Sequence, residues 1–229
     1  MSVPILGISS MATRQVLAEL VDAYQRHSGQ RVAIESVGGV DAAKRVAAGE
    51  AFDVVILASD AIDKLIAAGH VLAGSKVDLV HSGVAVAVRK GAPQPDISSE
   101  DAVRQAILAA RNISYSTGPS GVALAKLFER WGIAEQIKDR IVTPPPGIPV
   151  GSLVAKGEVA LGFQQLSEML NVEGLTVLGP LPPAIQITTT FSAGVCASSQ
   201  QAEAVRAMLG YMASPAAAEA KRRQGMDPA

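Results

Sequence analysis

Aromatic side chains are scarce: one Trp, three Tyr and four Phe make up 3% of the 229 residues. That is too few for base-stacking platforms or an aromatic sugar cleft, so a small, polar ligand is expected. Cysteine is nearly absent. Cys196 stands alone, which excludes an intramolecular disulfide and leaves the redox compartment unread. Neither sign of charge is in surplus: the formal net charge is -1, with Lys and Arg scattered among Asp and Glu. A protein that neutralises many phosphates needs a basic face, so nucleic acid is not an expected partner. No run of about 18 apolar residues occurs, and no membrane span is expected. The opening MSVPILGISS lacks a basic n-region and an apolar h-region, so no secretory leader is expected in the sequence as it stands. His27, His70 and His81 have no metal-ligand spacing, and the phosphate-loop, dinucleotide and nucleophile-elbow glycine patterns are missing. No metal and no cofactor are expected.

What is present is an alternation of strand-like and helix-like segments, the pattern of an open α/β sheet. Val3 to Ile8 is a short apolar run. Ser9-Ser10 follows, and then Val16, Leu17, Leu20, Val21 and Tyr24 recur at helical spacing up to a stop at Gly29. The same grammar predicts strands at Val32 to Val37 and Asp53 to Leu57, and helices at Asp41 to Ala48 and around Ile62 to Ile66. Further on, strands are predicted near 84 to 88, at Ile113 to Ser116, Ile141 to Thr143 and Val159 to Phe163, and at Gln186 to Ala197. The helices between them begin at Ser98 and run through Trp131, Lys156 and Leu170. Ser198 and Gln201 stand at the spacing of a capping box for a last long helix. The strand-like stretches near 82 to 90 and 186 to 197 suit two crossings between lobes. The expected fold is therefore a two-lobed α/β protein, each lobe a mixed sheet flanked by helices, with a ligand cleft between them. Residues 1–82 with 190–229 form one lobe, and 83–189 the other.

Ligands of open α/β sheets bind beyond the carboxyl ends of strands, where helix starts present unpaired NH groups. Four loops of small residues stand at such points: Gly7 to Met11, Ser36 to Asp41, Thr117 to Gly121, and Pro146 to Pro149. Any one alone reads as an ordinary capped turn. Four together point to an anion.

These loops have collinear companions: AAGEAFDVVILAS at 47 to 59, KGEVALGF at 156 to 163, VLGPLPPAIQITTTFSAGV, and YMASPAAAEAKRRQGM near the end. With them the chain resembles the molybdate-binding-protein-like family of ABC transporter substrate-binding proteins, which has the periplasmic binding protein fold. The resemblance implies an oxyanion held by hydroxyls and backbone NH groups, with an ABC transporter membrane component as partner. It implies a periplasmic location where a leader has been removed, and a cytoplasmic one otherwise. Ser10 matches the first ligand serine, Ser120 the position in the second-lobe loop, and Gly147 a backbone donor; Ser9 and Gly121 beside them join the candidate ligand-binding residues, with Ser10 rather than Ser9 expected on the ligand. Two positions depart from the family: its second serine-bearing loop is Gly38-Gly39 here, and its Tyr after the Gly-Phe strand is Gln165. Losing one hydroxyl donor in a closed site costs on the order of 1 to 3 kcal/mol, which turns the expectation from molybdate itself to a small oxyanion or a carboxylate. Arg14 and the amides of Gln164 and Gln165 suit such a ligand. Relatives of the family resemble aconitate isomerase, which gives the alternative: an allylic proton shift on a polycarboxylate. Its base would come from Asp41, Asp60, Glu168 or His81, and the sequence does not choose among them.

Overall fold

The computed structural model describes residues 3–229. Met1 and Ser2, which open the stretch read for a leader, lie outside the described residues. The elements in chain order are β1 (Ile5–Ser10), α1 (Arg14–Ser28), β2 (Val32–Val37), α2 (Gly39–Ala47), β3 (Val54–Ala58), α3 (Ser59–Ala67), β4 (Val77–Arg89), α4 (Glu100–Ala109), β5 (Ile113–Tyr115), α5 (Pro119–Arg130), α6 (Ala134–Ile137), α7 (Val150–Ala155), β6 (Leu161–Gln165), α8 (Leu166–Met169), β7 (Leu175–Pro180), β8 (Thr188–Val195), α9 (Ala202–Ala213), α10 (Ala218–Arg223) and β9 (Asp227–Pro228). They fall into two compact units. One takes in the residues up to Ser82 together with Thr190–Ala229, and the other is Gly83–Thr189.

In the first unit the strand order is β2-β1-β3-β8. β1 runs parallel to β2 and β3, and β8 closes antiparallel on β3 with Val54 opposite Val195. One face of this sheet, with Ile5, Val54 and Ile56, packs on Val16, Leu17, Leu20 and Tyr24 of α1 and on Met208 and Met212 of α9. The other face, with Ile8, Val55 and Leu57, packs on Ala42 and Val46 of α2 and on Ile62 and Leu65 of α3. That two-sided burial is why the β3 residues VVILA form an unbroken apolar run. Asp53, just before β3, is 9% exposed and ties three segments together. Its carboxylate accepts from the Leu6 NH (2.9 Å), the Ser199 hydroxyl (2.6 Å) and the Gln201 side-chain amide (3.2 Å).

In the second unit β5 and β6 are parallel, and β4 pairs antiparallel with β6 and β7. Val84, Val86, Ile113, Leu161 and Phe163 pack against Ile107 of α4 and Leu124 and Phe128 of α5. The opposite side is covered by α7, through Val150 and Val154, and by Met169 of α8 against Ala85 and Ala87.

Several boundaries differ from those the sequence predicts. The first strand is Ile5–Ser10, two residues later than expected, so Ser9 and Ser10 end the strand and a 3-10 turn at Met11–Thr13 separates them from α1. Ile141 to Thr143 makes a single bridge, Ile113 to Ile141, because the three prolines that follow have no NH to extend a ladder. The cap of α4 is Ser99, whose hydroxyl accepts from the Ala102 NH, and not Ser98. The capping box at Ser198 and Gln201 does not form. Ser198 donates to the Phe52 carbonyl, Ser199 accepts from the Gln201 NH, and Gln201 itself is the residue before α9. β7 and β9 have no counterpart among the expected strands.

Candidate functional site

The two adjacent serines at the end of β1 have opposite surroundings. Ser9 is fully buried, and its hydroxyl meets that of Ser36 at 2.8 Å, across the β1–β2 pair. It is a structural crosslink. Ser10 is also buried, at 7% exposed, yet its Oγ has no hydrogen-bond partner among the described residues. Its carbonyl accepts from the Thr13 hydroxyl at 3.0 Å, which holds the 3-10 turn in place. A Cβ added to Gly39 would lie 3.6 Å from the Ser10 Cβ, so the start of α2 stands directly beside this serine. Gly38 precedes that helix, and its carbonyl takes the first helical bond, from the Ala42 NH. The amides of Gly39, Val40 and Asp41 therefore have no acceptor within the helix. Ser10, Gly38 and Gly39 are brought together, with a free hydroxyl against a helix start.

Asp41 lies in the first turn of the same helix, its Oδ2 3.4 Å from the point where a Gly38 Cβ would stand. Arg14, the first residue of α1, is exposed and lines an open groove of about 880 Å³ with Leu17, Ala18, Val21 and β2 residues. Asp60 makes an exposed ion pair with Lys64 at 3.5 Å, one turn along α3. His81 Nδ1 meets the Thr190 hydroxyl at 2.9 Å.

In the second unit, Ser120 is buried and its hydroxyl meets that of Ser116 at 2.9 Å. Gly121 has a packing reason of its own: a Cβ there would stand 1.6 Å from the Ser116 carbonyl oxygen, which no side chain tolerates. Beside this loop is a cavity of about 180 Å³ lined by Tyr115, Ser116, Thr117 and Thr143 among others. Gly147 is exposed, and its φ of 76° belongs to a turn closed by the Ile148 NH on the Pro145 carbonyl. Gln165 is buried at the end of β6, where its amide donates to the Thr189 hydroxyl at 3.0 Å. Its neighbour Gln164 faces the other way. The Gln164 side-chain oxygen accepts from the Gly151 NH (3.1 Å) and its amide donates to Glu168 Oε1 (2.9 Å). Burial raises the Glu168 carboxyl to about 7, against a smaller lowering by the Gln164 bond. The hydroxyl partners Ser36, Ser116 and Thr189 escape sequence reasoning, because strand register and loop closure decide which hydroxyls meet.

Residues 5–227 match the bacterial extracellular solute-binding protein family. The chain belongs to this family. A relative from a Pseudomonas species, described as aconitate isomerase, is 39% identical over 244 residues, covering 99% of this chain and 92% of its own. Among solved structures, the periplasmic molybdate-binding protein of Azotobacter vinelandii matches with a TM-score of 0.80 at 20% identity, over 97% of this chain and 98% of its own. The sulfate-binding protein SubI of Mycobacterium tuberculosis H37Rv gives a TM-score of 0.80 at 17% identity, over 99% and 87%. The fold of this solute-binding protein is thus the mixed α/β fold of the periplasmic binding proteins. Among the described residues, no helix is long and apolar enough to cross a membrane.

Proposed function

We propose that this solute-binding protein takes a small carboxylate-bearing anion, with Ser10 and the first amides of α2 as its contacts in the first unit. The observation that carries this reading is the buried Ser10 hydroxyl without a partner. Leaving such a group unpaired costs on the order of 1 to 3 kcal/mol, which an incoming anion recovers. The adjacent helix start adds NH donors and a partial positive charge of the right sign. A carboxylate is favoured over a tetrahedral oxyanion because residues 38 and 39 are glycines and residue 165 is an amide. Within the second unit, Ser120, the Gly147 turn and Gln165 are the candidate anion contacts. Membership of an extracellular solute-binding family favours a periplasmic location on export, with a membrane transporter as the recipient.

Calorimetry with molybdate, tungstate, sulfate, citrate and cis-aconitate tests the reading. Binding of a polycarboxylate is expected, with Ser10→Ala weakening it about tenfold, or about 1.4 kcal/mol. A flat response to every anion overturns it. Ser120→Ala tests the contribution of the second unit.

A second reading is favoured by the 39% identical relative, whose description is an aconitate isomerase and which spans nearly the whole chain. On this reading the bound polycarboxylate is an allylic one and is isomerised in place. Proton NMR of cis-aconitate incubated with the protein should show the trans isomer growing in, and its absence removes this reading while leaving the binding reading intact.

A further inference from the structure

Within the first unit, the start of α2 holds a charge that the anion reading leaves unexplained. Asp41 belongs to the first turn of α2, and its Oδ2 folds back to 3.4 Å from the point where a Gly38 Cβ would stand. Gly38 precedes the helix, so the carboxylate lies at the helix start, where the amides of Gly39, Val40 and Asp41 have no helical acceptor. Ser10 reaches the same place from β1. It is 7% exposed, its Oγ has no partner among the described residues, and its Cβ is 3.6 Å from the position of a Cβ on Gly39. One helix start therefore combines a free hydroxyl, free NH groups and a carboxylate.

Asp41 is exposed and makes no hydrogen bond or ion pair among the described residues. On its own helix, Arg45 is held by Glu35 and Glu50, and Lys44 is exposed and forms no ion pair among the described residues. The elements packed on α2 bring it no free cation: β1 and β3 hold no titratable side chain in ILGISS and VVILA, and β2 holds only Glu35. On α3, Asp60 pairs with Lys64, and Asp63 with Lys76. A carboxylate at a helix start favours the helix through its dipole. Beside an anion site it also discriminates. A ligand with acceptor oxygens alone meets like charge there, whereas one that points an O–H at Asp41 meets an acceptor.

We propose, on the carboxylate-binding reading given above, that Asp41 is a specificity-determining residue that selects anions carrying an O–H donor beside a carboxylate, the chemistry of a hydroxy acid. The ligand carboxylate takes the Ser10 hydroxyl and the α2 amides, and the ligand hydroxyl donates to Asp41. A protonated carboxyl on the ligand supplies the same donor at lower pH. Donor-free anions such as sulfate and molybdate are disfavoured by the same side chain.

The test uses the full chain and two probes, citrate and tricarballylate, which share their carboxylates and differ by one hydroxyl. At about pH 7.5, calorimetry should show citrate bound about tenfold more tightly than tricarballylate. In D41N, whose amide can itself donate, that ratio should shrink to within about threefold, because tricarballylate and sulfate bind more tightly. S10A should instead weaken both probes alike. As the pH falls from about 7.5 to about 5, tricarballylate should gain on citrate in the wild type, since its own carboxyl then carries the proton, and this gain should vanish in D41N. Should D41N fail to fold, D41A removes the carboxylate without adding a donor and should narrow the ratio as well. A wild type that binds tricarballylate, sulfate or molybdate as tightly as citrate, or variants that keep the wild-type ratio, overturn the role of Asp41 and leave the anion site standing. A wild type that binds none of these anions overturns the carboxylate reading and this inference together.

Discussion

Asp53 in the first unit and Glu168 in the second are both acidic side chains withdrawn from water, and the protein treats them in opposite ways. Asp53 is ringed by donors: a backbone NH from β1, a hydroxyl and an amide from the segment after β8. Glu168 accepts from a single neutral amide. A carboxylate with its oxygens engaged binds chain segments to one another. A carboxylate with one donor and no counter-charge does little for the fold, and its proton remains exchangeable. The same contrast holds between the neighbouring hydroxyls of Ser9 and Ser10, one crosslinked to Ser36 and one unpartnered.

Removing the engaged member of each pair should therefore cost stability, and removing the disengaged one should not. Asp53→Ala strands an NH, a hydroxyl and an amide at once, and should lower unfolding stability by about 4 kcal/mol, read as a shift of the denaturant midpoint at constant slope. Should the loss be under about 1 kcal/mol, the three contacts are not what holds these segments. Glu168→Gln should act in the other direction. Because burial raises the folded-state carboxyl to about 7, the native protein holds this proton more tightly than the unfolded chain does. Its contribution to stability therefore falls as pH rises from the ordinary carboxylate range to about 7, and levels off above that. At pH 8 the glutamine variant should be about 2 kcal/mol more stable than the wild type, and below pH 5 the two should converge. A parallel pH dependence in both proteins would contradict that. Ser9→Ala should cost about 1 kcal/mol through the lost Ser36 contact. Ser10→Ala should not lower stability and, by removing an unpaired buried hydroxyl, should raise it by up to about 1 kcal/mol while weakening anion binding; chemical denaturation of the two variants side by side separates crosslink from contact.

The helical spacing of Val16, Leu17, Leu20 and Tyr24 and the unbroken apolar run at Val54 to Ala58 made much of the first unit legible, because burial on one or two faces writes itself into residue order. Segments whose state depends on a distant partner were not legible. Ile141 reads as strand but has room for one bridge, Leu175–Pro180 becomes a strand only because β4 offers it an edge, and Ser198 caps nothing because Phe52 takes its hydroxyl. The site divides in the same way. The small-residue loops were visible as loops, whereas the engagement of Ser9 and the isolation of Glu168 depend on register and on what covers α8.

The pairing of β3 with β8 also bears on how the chain is made. Gly83–Thr189 is continuous in sequence, so every partner its sheet needs has left the ribosome once residue 189 has. The first unit is still incomplete at that moment. Its apolar β3 edge waits through the synthesis of the entire second unit before Phe191 to Val195 arrive to cover it. For that interval the nascent chain presents an open, water-averse strand edge, the kind of surface on which chaperones act and chains misassemble.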